Sequence, residues 1–225
     1  MEKTDPSDTL DRSVLAVVDL RFSYIKRGEE LFSGLTHRFA PGALTVVTGP
    51  SGCGKSTLLY LLGLMLNPTS GQIEVDGRPV GRLSDGGRST LRAARIGFVF
   101  QDSELDPSRT VVDSVIEPGL YLGRRVADLR PVALELLERF GLAHRADHRP
   151  GQVSGGQAQR VAVCRAMINQ PDIVLADEPT GNLDRDNAAL VLDALAVAAH
   201  DSGRTVVIAS HDPYVIDVAD RVVAL

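Results

Sequence analysis

The 225-residue chain carries 24 Lys and Arg against 29 Asp and Glu, a formal net charge of −5, with 44% hydrophobic residues and two cysteines. The acidic balance argues against a dominant nucleic-acid surface, and the lack of any run of eighteen apolar residues argues against a membrane-spanning helix, so a soluble chain with one large core is expected. Met1 to Asp8 lacks the basic-then-apolar order of a signal peptide, which points to the cytoplasm.

Residues 1–11 read as a polar tail, after which Val14 to Val18 opens an antiparallel portion expected to include Leu31 to Phe39. Pro41-Gly42 turns the chain into Leu44-Thr45-Val46-Val47-Thr48, a short β-branched apolar run that reads as a buried strand. The loop Gly49-Pro50-Ser51-Gly52-Cys53-Gly54-Lys55-Ser56 follows, and Ser56 to Leu62 reads as a helix. Ile96 to Phe100 is a strand ending at Gln101. From there the pattern turns helical, with one helix over Val111 to Leu122 and a Val132, Leu136, Phe140 stripe on another. Ser154-Gly155-Gly156-Gln157 starts a helix that runs on to Ile168, and Ile173 to Ala176 is a strand delivering Asp177 and Glu178. A helix over Arg185 to His200, a strand over Thr205 to Ala209 that leads to His211, and a closing strand over Arg221 to Leu225 complete the reading. The alternation implies an α/β fold around a parallel sheet, whose ligands collect at the carboxyl edge where Gln101, Asp177, Glu178 and His211 emerge.

Strand, glycine-rich loop and helix form a phosphate-binding unit: glycines let backbone N–H groups converge on phosphate oxygens, and the helix dipole adds its positive end. Lys55 is placed to reach the β- and γ-phosphates and the Ser56 hydroxyl to ligate Mg²⁺. Asp177 can hold Mg²⁺ through its waters, and Glu178 beside it can polarise an attacking water as a general base. Imidazole at His211 can bridge phosphate and water. Ser154 caps a helix whose start is stripped of side chains, a second anion site. Two phosphate-binding devices in one chain are reconciled by a head-to-tail dimer, in which each Ser154 region closes over the γ-phosphate held by the other chain's Lys55 loop. Cys53 and Cys164 show no metal-ligand spacing and are expected to be free thiols, with Cys53 open to alkylation because of its place in the loop.

In these motifs and their order the chain resembles the ATP-binding subunit of ABC transporters over nearly its whole length. The resemblance implies a P-loop NTPase (RecA-like) core with an N-terminal antiparallel β portion and an inserted α-helical subdomain, the core spanning 12–100 and 158–225 and the helical part about 101–157. It implies ATP as substrate and Mg²⁺ as cofactor. ATP would be bound by Tyr24, stacked on adenine, by Gly49, Pro50, Ser51, Gly52, Cys53, Gly54, Lys55, Ser56 and Thr57, and by the signature Ser154, Gly155, Gly156 and Gln157. Glu178, His211 and Gln101 would be catalytic, Ser56, Gln101 and Asp177 would serve Mg²⁺, and Asp184 would be a dimer contact. Asn67 to Gly71, Ile96 to Gln101 and Ala176 to Asp184 look like the MacB-, LolD- and FtsE-like group. Its members pair with integral-membrane permease subunits at the cytoplasmic face of the inner membrane, to export or extract peptides, lipoproteins, haem or drugs, or, in the FtsE-like alternative, to regulate a cell-wall hydrolase. Two departures stand out: Val153 where leucine is usual before the signature, and an acidic Asp102 to Arg109 stretch. The regulatory domain that some import ATPases carry is not expected. A DNA-repair ATPase would need a long heptad insertion and a translation factor a second cassette, and neither is present.

Overall fold

The computed structural model describes residues 14–24 and 30–225; the polar tail expected over 1–11 lies outside them. Two sheets organise the chain. The first is antiparallel, in the order β2-β1-β4-β5, with β1 Leu15–Phe22, β2 Leu31–Phe39, β4 Ser70–Val75 and the short β5 Arg78–Pro79. The second is parallel, in the order β6-β7-β8-β3-β9, with β3 Leu44–Thr48, β6 Ile96–Val99, β7 Ile173–Asp177, β8 Thr205–Ala209 and β9 Arg221–Ala224. β4, β5 and the helix α2, Asp85–Arg95, were not foreseen from the sequence.

The apolar strand runs arise because the parallel sheet is covered on both faces. Alternate side chains diverge: Val47, Leu175, Val207 and Ala209 join α1 (Lys55–Leu62) and the antiparallel sheet in one core, whereas Val46, Val174, Ala176, Val206 and Ile208 enter a second core under α5 (Gly155–Met167) and α6 (Arg185–His200). A third core, of Val111, Val112, Val115, Ile116, Leu129, Ala133 and Leu137, holds α3 (Val111–Leu120) against α4 (Val126–Arg139), and α5 closes it with Val161, Cys164 and Ile168. One helix therefore serves two cores. The apolar stripe on α4 lies one position round from the expected one: Leu129, Ala133 and Leu137 are fully buried, while Val132, Leu136 and Phe140 are only partly covered. α3 ends at Leu120 rather than Leu122.

α5 approaches β6 closely because Gly97 has no side chain; a Cβ there would stand 2.3 Å from the Ala166 carbonyl oxygen. The short helix α7, Pro213–Asp217, follows His211 and is capped by Asp212. Among the described residues no helix is long and apolar enough to cross a membrane.

Candidate nucleotide-binding and hydrolytic site

β3, β6, β7 and β8 are parallel neighbours, so the segments after them share one edge of the sheet. A cleft of about 930 Å³ opens there, lined by Tyr24, Gly49, Pro50, Ser51, Gly52, Gly54, Lys55, Ser56, Thr57, Gln101, Glu178 and His211, together with Ser23, Leu31 and Gly181. The volume is of the size that accommodates a nucleotide, within the roughly 300–1,000 Å³ usual for ligand sites.

The phosphate loop is held open by its own geometry. Gly54 caps α1 with φ 102, a left-handed conformation that disfavours other residues, and a Cβ there would stand 2.9 Å from the Phe32 ring. The Lys55 ammonium donates to the carbonyls of Gly49 at 2.9 Å and Pro50 at 3.1 Å, so it spans the loop mouth with one donor still to give. Ser56 donates its hydroxyl to Asp177 Oδ1 at 2.9 Å. Asp177 is buried, and burial raises its pKa above the ordinary carboxylate range; the Ser56 hydrogen bond and the Lys55 ammonium oppose the shift and the Glu178 carboxylate adds to it. A buried acid held by two hydroxyls, those of Ser56 and Tyr60, is a suitable partner for a hydrated cation. No cluster of three or more His, Cys, Asp or Glu side chains able to hold a metal occurs among the described residues.

Glu178 leaves β7 with φ 41, its N–H donating to Ala209 O at 2.9 Å, and this turn sends the carboxylate across to the end of β8. Its Oε1 lies 2.7 Å from His211 Nδ1, and its Oε2 accepts from the Ser210 hydroxyl at 3.0 Å. The Glu178 side chain is 15% exposed and that of His211 76%, so the acid is held in the wall while the imidazole reaches into the opening. Ser210, fully buried, was missed in the sequence; as a polar residue between an apolar strand and His211 it carried a usable signal.

Tyr24 is exposed, its ring edge-on to Phe22 at 4.8 Å and its hydroxyl 2.8 Å from Thr57 Oγ1, which leaves a free aromatic face at the cleft. The Cys53 thiol turns the other way: Cys53 lines a separate hollow with Phe32, Leu35, Ala224 and Leu225. Burial pushes the Cys164 thiol far up, out of reactive range.

Ser154, Gly156 and Gln157 do not line the cleft. Ser154 caps α5 in a reciprocal pair, its hydroxyl accepting from Gln157 N–H at 3.3 Å while Gln157 Oε1 accepts from Ser154 N–H at 3.0 Å. Gly155 instead borders a small hollow shared with Gln101, Asp102, Asn182 and Leu183. Asp184 caps α6 and fixes the Asn187 carboxamide, at 2.9 and 2.8 Å from its two oxygens, against Gly156. Hydrogen bonds from Asn187 hold the exposed Asp184 carboxyl below the usual range.

The sequence model of the ABC transporter family matches residues 32–181. The lipoprotein-releasing system ATP-binding protein LolD of Paramagnetospirillum magneticum is 43% identical over 87% of this chain and 87% of its own, and that of Novosphingobium aromaticivorans is 42% identical over 94% and 96%. The macrolide export ATP-binding/permease protein MacB of Chlorobium luteolum is 41% identical over 94% of this chain, which spans 32% of that longer protein. Among solved structures, a dimeric bacterial ABC transporter cassette aligns with TM-score 0.87 at 34% identity, and a dimeric cassette in a post-hydrolysis state with ADP and Pi aligns with TM-score 0.86 at 33% identity; each pairing covers 94% of both chains. Together with the cleft, these place the chain in the ABC transporter family, as an ATP-binding cassette that hydrolyses ATP.

Proposed function

We propose that the chain works as a head-to-tail pair at the cytoplasmic face of the inner membrane, driving separate integral-membrane permease subunits that extract or export an amphiphilic cargo of the lipoprotein class. The observation that carries the pairing is the separation of the two phosphate-binding devices: Lys55, Ser56, Glu178 and His211 share one cleft, whereas Ser154 starts a helix outside it. A second copy, turned by a two-fold axis, supplies the missing wall to each cleft. The dimeric cassettes among the related structures and the recurrence of lipoprotein-releasing subunits among the relatives support the assembly and the cargo class.

In this reading adenine stacks on Tyr24, and the loop from Gly49 to Thr57 cradles the phosphates with Lys55 on the β- and γ-oxygens. The partner's copy of Ser154, Gly155, Gly156 and Gln157 caps the γ-phosphate, and Asp184 stands at the seam. Ser56, Asp177 and Gln101 would hold Mg²⁺, which would supply charge neutralisation at the phosphates. Glu178, oriented by Ser210 and His211, accepts a proton from the attacking water, and His211 donates to the γ-phosphate; positioning and electrostatics carry the transfer, with no covalent intermediate. The core is taken as 12–100 with 158–225 and the helical part as about 101–157.

Purification of the tagged chain from membranes tests the assembly. An integral-membrane partner that stimulates Glu178-dependent hydrolysis supports it, and an active chain that never retains a membrane protein refutes it.

A further inference from the structure

Gln101 sits on a loop that the rest of its own chain holds by an unusual route. Across Gln101 to Leu105 no backbone–backbone hydrogen bond is made among the described residues, and Glu104 stands at φ 47, a left-handed conformation costly for a glutamate. What fixes the segment is α5. Gln159, only 4% exposed, donates Nε2 to Phe100 O at 3.0 Å, immediately before Gln101. Arg165 donates from one guanidinium nitrogen to Ser103 O at 2.9 Å and from the other to Glu104 O at 2.8 Å, two and three residues after it. These are three side-chain donors on three carbonyls, all from the helix that Ser154 begins.

We propose that Gln159 and Arg165 are positioning residues that clamp the Gln101 loop onto α5, so that Gln101 moves with the Ser154 end of the helix. The inference rests on the roles given to Gln101 and Ser154 in the proposed function. Its geometry is that of a lever: α5 is a continuous helix of 13 residues, about 20 Å long at 1.5 Å per residue, and Arg165 lies near its far end. A shift of Ser154 on docking to a partner's nucleotide is carried through this helix to the glutamine of the chain's own cleft. The two sites of a pair are thereby linked through each chain as well as across the seam. Arg165 suits the task because its planar fork reaches two carbonyls at once; burial lowers its pKa, and the Glu117 and Glu104 carboxylates oppose that shift.

The test is a double-mutant cycle on the full chain at concentrations where it pairs, read as kcat and KM for ATP. Arg165→Met keeps the packing stem and removes both donors. It is expected to lower kcat about tenfold with KM within about twofold, in the range by which residues along a coupled network act. The loss is expected to vanish in a Gln101→Ala background, because Arg165 acts through Gln101. A parental kcat in Arg165→Met, or losses that multiply in the double variant, overturns the clamp while leaving the site reading intact. A parental kcat in Gln101→Ala overturns the role of Gln101 and the clamp with it. Should Arg165→Met fail to fold, Arg165→Lys and Gln159→Glu carry the test by amide hydrogen exchange: faster exchange confined to 101–105 supports the clamp, and unchanged exchange there overturns it.

Discussion

Replacing Glu178 by Gln isolates proton acceptance from everything else the side chain does. The amide has the carboxylate's shape. It offers one oxygen and one NH₂ where the acid offers two oxygens, one beside His211 Nδ1 and the other accepting from Ser210. The Ser210 hydroxyl can rotate to accept from the NH₂, so one charge-assisted bond becomes neutral, at a stability cost of about 1 kcal/mol. For a chain of this size that lowers Tm by about 2–4 °C. Turnover should suffer far more. Loss of a positioned general base removes about 10²–10⁴ in rate, or roughly 3–5 kcal/mol of barrier at about 1.4 kcal/mol per decade. Phosphate release under saturating Mg·ATP gives kcat, and titration of a fluorescent nucleotide gives affinity. The expected pattern is nucleotide binding within about threefold of the parent alongside a kcat lower by at least about a hundredfold. A Glu178→Gln chain that hydrolyses at the parental rate refutes the assignment of the base.

Lys55→Ala should weaken ATP binding by at least about tenfold, the equivalent of one charge-assisted hydrogen bond, with little change in Tm because its present acceptors lie at the open loop mouth; calorimetric titration decides. Asp177→Asn should lower Mg²⁺-dependent hydrolysis yet leave the nucleotide-free chain as stable as the parent or more so near neutral pH. A carboxyl whose pKa is raised by folding contributes stability at low pH and loses it as the pH rises through the folded value, so the Tm gap between variant and parent should close toward the ordinary Asp value of about 4. Thermal scans against pH check the sign, and a gap that widens on acidification contradicts it. Gly97→Ala places a methyl 2.3 Å from the Ala166 carbonyl and should cost about 1–3 kcal/mol, a Tm lower by about 2–10 °C; an unchanged Tm would mean α5 can move off β6 freely.

The parts of the fold that were legible are those whose burial leaves a sequence trace. β3, β7 and β8 read as strands because both faces of the sheet are covered, which makes their apolar runs continuous. The cleft was readable for the same reason, since the polar residues that end those runs must share an edge. β4 begins at exposed residues with a glycine and buries only Ile73 and Val75, and α2 buries none of its residues, so each leaves only a short or polar trace in the sequence. On α4 the stripe was displaced because Val132 and Leu136 are as apolar as the Leu129 and Leu137 that are buried; which face turns inward is settled by α3 and α5, distant in sequence. Gln159 and Arg165 went unremarked for a related reason. Their acceptors lie about sixty positions away, at Phe100, Ser103 and Glu104, and no local pattern announces a side chain that bonds a remote carbonyl. Ser210 had a positional signal and its partner, Glu178, was already in view.

If each hydrolytic site is built from two chains, two variants that are each inactive should complement one another when mixed. Lys55→Ala disables a chain's own cleft but leaves its Ser154 helix intact; Ser154→Arg blocks the helix start but leaves the cleft intact. A mixed pair contains one complete site, formed by the cleft of the second and the helix of the first. Each variant alone is expected to be inactive and the mixture to recover ATP hydrolysis, at up to about one quarter of the parental rate for random pairing with independent sites. A mixture of the two folded, pairing variants that stays inactive, or a Ser154→Arg chain that hydrolyses ATP at the parental rate, would contradict the shared site.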